Sequence, residues 1–253
     1  VDTRDLRGPI PGDVLLLNSA GKYEIRNKTL QFLRSGQRPR FTHVAFCTGL
    51  CTLIHADGHG VDIVTVDDLL SNYPGSWRAI RHVQMNIVGR QDPMIVIKQA
   101  EHYLAMPYTR RWWSFVHGRQ LEGETFCSYL IQQVFTNLNV PILAKRKKPL
   151  PVHFQSLPEN DSEHWIDVTS EHLFGHDVLK KRPDLKVRAV EMCGVVRDTR
   201  KITLDNNQMN ELMTQYFKTM DELDKKIFGS SIPSEPITLA KMPMEYWDTK
   251  EKK

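Results

Sequence analysis

Three short apolar segments joined by glycine turns constrain this chain more than anything else in it. Phe41 to Cys47 has strand composition, Gly49-Leu50 reads as a turn, Thr52 to Ala56 reads as a second strand, and Gly58-His59-Gly60 leads into a third, Val61 to Val66. Connections this short join strands that run in opposite directions, because a parallel partner needs a crossover of a dozen or more residues. The segments therefore predict an antiparallel sheet. Pro11-Gly12-Asp13 is turn chemistry ahead of a further short buried strand, Val14 to Leu17, and Trp77 to Val83 extends the same composition.

Helices are predicted around this sheet. Leu30, Phe32 and Leu33 give the polar stretch Asn18 to Arg40 the spacing of a short helix or ordered loop. Asp67-Asp68-Leu69-Leu70 starts another, with acids where the helix dipole favours them. Asp92-Pro93 opens a helix that runs towards Leu104 and is ended by Met106-Pro107-Tyr108. Phe126 to Phe135 carries apolar residues at 126, 130, 131, 134 and 135, a helical stripe with Cys127 in its first turn. The chain reads as loop from Pro141 through Pro158. Beyond Trp165 the pattern predicts one strand, Lys186 to Val196, then an amphipathic helix from about Asn206 to Phe228 whose apolar face, including Met209, Leu212 and Met213, packs on the rest, and finally an extended tail.

The predicted fold class is α+β, with a domain over residues 1–165 and a C-terminal extension over 166–253 packing on it. At 253 residues and 40% hydrophobic content the chain can bury a substantial core. No apolar run approaches the roughly 18 residues that a bilayer crossing needs. The beginning of the chain is charged and proline-interrupted, without an apolar signal core, yet it starts at Val1, so export stays open. A net charge of +4, partly gathered in Lys145, Arg146, Lys147 and Lys148, predicts a solvated loop and no nucleic-acid partner. The four cysteines, 47, 51, 127 and 193, lack the paired CxxC spacing of a zinc ribbon and are too sparse for a disulfide scaffold.

Of the four, Cys127 has a chemical context. A thiol attacks as thiolate, and a helix N-terminus offers both partial positive charge and unpaired N–H groups that can hold an oxyanion. It also needs a base, for which imidazole suits, and a polar group to orient that base. His43 and His55 lie on segments predicted to be hairpin partners, so both reach one sheet face. The expected catalytic set is Cys127, His43 and His55, with His59 in its glycine turn as a rival for the third place. A zinc site built from the same three residues is possible on paper, but the helix start suits a nucleophile better. No metal and no cofactor are expected.

Taken in order, Pro11-Gly12-Asp13-Val14-Leu15-Leu16, Thr42-His43-Val44-Ala45, Leu53-Ile54-His55-Ala56 with Gly60-Val61, and Phe126-Cys127-Ser128-Tyr129-Leu130 resemble the circularly permuted papain-like branch of the NlpC superfamily. That branch includes YiiX/YaeF-like and lecithin:retinol acyltransferase-like proteins, and Met106-Pro107-Tyr108 is similar to the small-residue-Pro-Tyr segment that precedes the cysteine there. The resemblance spans roughly residues 8 to 160. It implies a permuted papain-like fold, in which a histidine-bearing antiparallel sheet packs against the cysteine helix. Many YiiX-like members carry glutamate at the place of His55, whereas the acyltransferase-like branch carries histidine.

The resemblance implies a cysteine amidase or endopeptidase acting on peptidoglycan stem peptides, secreted or delivered to the bacterial periplasm, with an immunity or delivery protein as partner. A thiol acyltransferase or phospholipase acting on lipid is the alternative, and a non-catalytic interaction module is the third reading. Tyr108, Trp112, Trp113 and His59 are the expected substrate contacts, the tryptophans belonging to an aromatic patch, Trp112-Trp113-Ser114-Phe115.

Overall fold

The computed structural model describes residues 8–19, 22–49, 51–108, 126–143, 146 and 149–228. The chain divides into two units, residues 1–200 and 201–253.

The first unit is built on a six-stranded sheet with the order β4-β3-β2-β1-β5-β6, formed by β1 (Val14–Leu17), β2 (His43–Cys47), β3 (Thr52–Asp57), β4 (Gly60–Thr65), β5 (Trp77–His82) and β6 (Trp165–Asp167). Every pairing is antiparallel. The molecule is thus α+β, and the hairpins expected around Gly49-Leu50 and Gly58-His59-Gly60 form β2-β3 and β3-β4.

Both faces of the sheet are covered, which explains why β1 is an unbroken apolar run with no buried residue alternating with an exposed one. On one face Val14, Leu16, Val44, Phe46 and Ile54 meet Leu130, Ile131, Val134 and Phe135 of helix α5 (Cys127–Asn137). Full burial of each such side chain contributes about 1.5–3 kcal/mol. On the other face Leu15, Leu17, Ala45, Leu53 and Ala79 meet Val66 and Leu69 of helix α2 (Val66–Asn72) and Val168. Thr65 caps α2 by accepting the Asp68 N–H at 3.2 Å.

The other helices are α1 (Lys22–Ser35), α3 (Val83–Gln91), α4 (Pro93–Glu101), α6 (Pro151–Gln155), α7 (Leu157–Asn160), α8 (Thr169–Lys181) and α9 (Pro183–Phe228). Besides helix α8, which forms where no element was expected, four features depart from the expectations above. Helix α3 intervenes directly after β5, and α6 and α7 occupy part of the stretch expected to be loop. Strand β6 pairs with β5, so the boundary expected at 165/166 falls inside a strand of the first unit. The fourth departure is Lys186 to Val196, predicted as a strand, which is helical. Its β-branched composition suggested a strand, but its buried positions are Ala189 and Cys193, with Val196 packed on the core, while Val187, Val190 and Val195 face solvent. Spacings of four and three residues describe one side of a helix. Arg197 and Arg200 hold this part of α9 in place. The Arg197 guanidinium donates to Asp62 at 2.7 and 3.0 Å and to the Ile63 carbonyl at 2.8 Å, and Arg200 donates to the carbonyls of His102 and Leu104.

In the second unit, the side chains of Ile202, Met209, Leu212 and Met213 are exposed. No helix among the described residues is long and apolar enough to cross a membrane.

Candidate active site

His43 is the first residue of β2 and His55 the fourth of β3. In their register Ala45 stands opposite His55, so His43 and His55 are diagonal neighbours on one face of the hairpin. The rings meet edge to face, with 3.1 Å between His43 Nε2 and His55 Nδ1. Both are buried, at 6% and 5% exposure. Tyr73, immediately after α2, lies parallel to His43, with ring centroids 4.6 Å apart and planes 12° apart.

Cys127 opens helix α5 and is itself buried. The pairing of β2 with β3 ends at Ala45 and His55, which leaves the N–H of Val44, directed towards the β3 side, outside that ladder. This N–H and that of Ser128 lie against the Cys127 sulfur. The nucleophile candidate therefore packs against Val44 of β2, where the two strands part. Ser128 secures the helix start, its hydroxyl donating to the Pro149 carbonyl at 2.9 Å, and Gln132 Nε2 donates to the carbonyls of Leu143 and Arg146.

The charge balance of the site is set by its dryness. Burial pushes the Cys127 thiol up, against the pull of the Val44 and Ser128 N–H groups. Burial also holds His43 well below the ordinary histidine range, and the charge of His55 adds to this. His55 is lowered by burial as well, opposed by Asp57 and Asp62. Thiol and imidazole are accordingly neutral at rest. Charge separates only when something in the site favours it.

Tyr108 is half-buried against the core cluster that contains Cys127. Burial raises its phenol, and so does negative charge on Cys127, which acts on Tyr73 in the same way. Both phenols thus stay protonated. Tyr108 is delivered by a backbone tether in which Ala105 N–H donates to Val61 O and Val61 N–H to Met106 O, each at 2.9 Å. Gly60 makes that approach possible. It has a φ of +126°, and a Cβ there would stand 2.9 Å from the Met106 carbonyl oxygen. Gly60→Ala is expected to lower the unfolding free energy by about 1–3 kcal/mol in a denaturant titration; an unchanged midpoint would show that the tether yields freely.

The structure brings His43 and His55 into contact and gathers Cys127 and Tyr108 around the same strand end. His59 is exposed in the β3-β4 turn, where its N–H donates to Asp57 Oδ1 at 2.8 Å. Trp112 and Trp113 lie outside the described residues. Tyr73 escaped the sequence reading, since an aromatic before Pro74-Gly75 looks like an ordinary helix end. Among the described residues no cluster of three or more His, Cys, Asp or Glu side chains is arranged to hold a metal ion.

No family model matches the chain. No curated protein matches it either. Among solved structures, it is similar to the crystal structure of yiiX from Escherichia coli O157:H7, described as a metalloprotein, with 17% identity over 60% of this chain and 81% of that one and a TM-score of 0.41.

Proposed function

We propose that this chain is a cysteine-nucleophile hydrolase of permuted papain-like fold that cleaves amide bonds, with peptidoglycan stem peptides as its substrate class. One observation carries the reading: a buried cysteine at a helix start packs on the strand of a buried histidine, whose Nε2 is engaged at 3.1 Å by a second histidine. This arrangement has the three elements that nucleophilic catalysis needs, a nucleophile, a base and a group that orients the base.

With Nε2 of His43 engaged by His55, Nδ1 is the nitrogen left to take the Cys127 proton. Sulfur then attacks the carbonyl carbon, and the carbonyl oxygen becomes an oxyanion for which N–H groups at the start of α5 are the available donors. The His43 proton passes to the leaving amine as the C–N bond breaks, leaving a thioester on Cys127. Water, deprotonated by the same imidazole, hydrolyses it and restores the thiol. A resting site without charge suits this sequence, because the proton moves only as the carbonyl accepts the sulfur.

The test is mass spectrometry of peptidoglycan fragments and of phospholipid vesicles after incubation with wild type and Cys127→Ala. Release of stem-peptide fragments by wild type alone is the expected result. Lysolipid or an acyl group on Cys127 from vesicles would replace this reading with a lipid acyltransferase or phospholipase. Turnover by Cys127→Ala, or no product from either substrate class, would overturn it.

A further inference from the structure

Resting on the cysteine-hydrolase reading, we propose that Tyr73 is a positioning residue of this site, whose ring face holds the His43 imidazole and stabilises it once it has taken the Cys127 proton. The stack is close and nearly parallel, at 4.6 Å and 12°. Its position is built into the end of α2. Tyr73 N–H donates to Leu69 O at 3.0 Å, its backbone is non-helical at φ −125° and ψ 69°, and Pro74 disfavours a helical conformation there. The backbone at the end of α2 thus sets Tyr73 within stacking reach of His43.

Several groups from the surrounding elements bear on the His43–Tyr73 stack. His55 from β3 touches Nε2 and opposes a positive His43. Cys127 from α5 and Asp57 at the end of β3 act on the Tyr73 phenol, and with Tyr73 they act on that of Tyr108 in the tethered segment. Burial disfavours imidazolium as well. Among the described residues two rings contact His43, and of these only Tyr73 prefers the charged form, because the negative face of an aromatic ring attracts a cation more than a neutral ring. An interaction stronger in the charged state than at rest lowers the barrier to forming that state. Tyr73 therefore does for His43 what solvent would do at an open site.

The experiment measures alkylation of Cys127 by iodoacetamide against pH in the full chain, for wild type, Tyr73→Phe and Tyr73→Leu. Cys127→Ala supplies the background from the other thiols, and His43→Ala shows the profile of a thiol without its base. Near neutral pH, Tyr73→Leu is expected to react on the order of tenfold more slowly than wild type, while Tyr73→Phe, which keeps the ring face, stays close to it. At alkaline pH, where the thiol ionises unaided, the three profiles converge. A Tyr73→Leu profile superimposed on wild type, a loss of equal size at every pH, or a loss as large in Tyr73→Phe would each overturn the proposal. If His43→Ala and wild type share one profile, the hydrolase reading itself has failed, and that control reports it separately.

Discussion

Asp13→Ala is expected to lower the stability of the first unit by about 3–5 kcal/mol. Asp13 and Arg81 are 0% and 1% exposed. The Arg81 guanidinium donates through Nε and Nη2 to the two Asp13 oxygens at 2.5 and 2.8 Å, and His172 Nε2 lies 2.8 Å from Oδ2. The Ile10 N–H also donates to the carboxylate, at 3.1 Å. Burial works to raise the Asp13 carboxyl, but the hydrogen bonds from Arg81 and His172 outweigh it and hold the group below its usual range. Removing the carboxylate leaves a buried guanidinium whose remaining partners are Glu171 at 3.0 Å, the Gly8 carbonyl at 3.1 Å and Asn86 at 3.5 Å. Asp13→Ala with Arg81→Met should recover much of the loss, since the double change removes the stranded charge. Because the folded-state pKa lies below the unfolded one, this stability is present above the ordinary carboxylate pKa and is lost as pH falls through the lowered value. Denaturant titrations of the three proteins decide the matter. A loss under about 1 kcal/mol would place the network among ion pairs that only break even.

The second large effect is catalytic. His43→Ala is expected to reduce turnover by about 10²–10⁴-fold, the scale on which a positioned base contributes to catalysis. His55→Ala should cost less, because orienting an imidazole is a smaller task than carrying the proton. Turnover of the substrate identified with wild type provides the measurement. Turnover by His43→Ala within tenfold of wild type would remove this residue from the reaction, and equality of wild type and His55→Ala would remove the orienting role. A substantial stability loss is expected alongside, because His43 is buried between β1 and Tyr73. The kinetic comparison therefore belongs well below the melting temperature of the variant.

Much of the frame was legible in the chain itself. Glycine turns at 49 and 60 and the apolar runs beside them determine neighbouring antiparallel strands, because turn conformation and strand composition are properties of a few adjacent residues. The same holds for α5, whose stripe of Leu130, Ile131, Val134 and Phe135 declares which side is buried, and for the approach of His43 to His55, which follows once two strands share a short hairpin. Lys186 to Val196 misled for a related reason. Valine content is a weak preference, and packing of Ala189 and Cys193 against the core overrode it.

Only the tertiary structure decided the remainder. Asp13 meets Arg81 and His172 across separations of 68 and 159 residues, and strand β6 joins β5 from the far end of the first unit. Tyr73 covers His43 because the end of α2 happens to pass over β2. Propensity and periodicity act over one turn or one strand, whereas buried ion pairs and ring stacks depend on distances that exist only after the layers have packed. The same packing removes water from Cys127 and His43, so the neutral resting state of that pair is a property of the folded site and not of either residue.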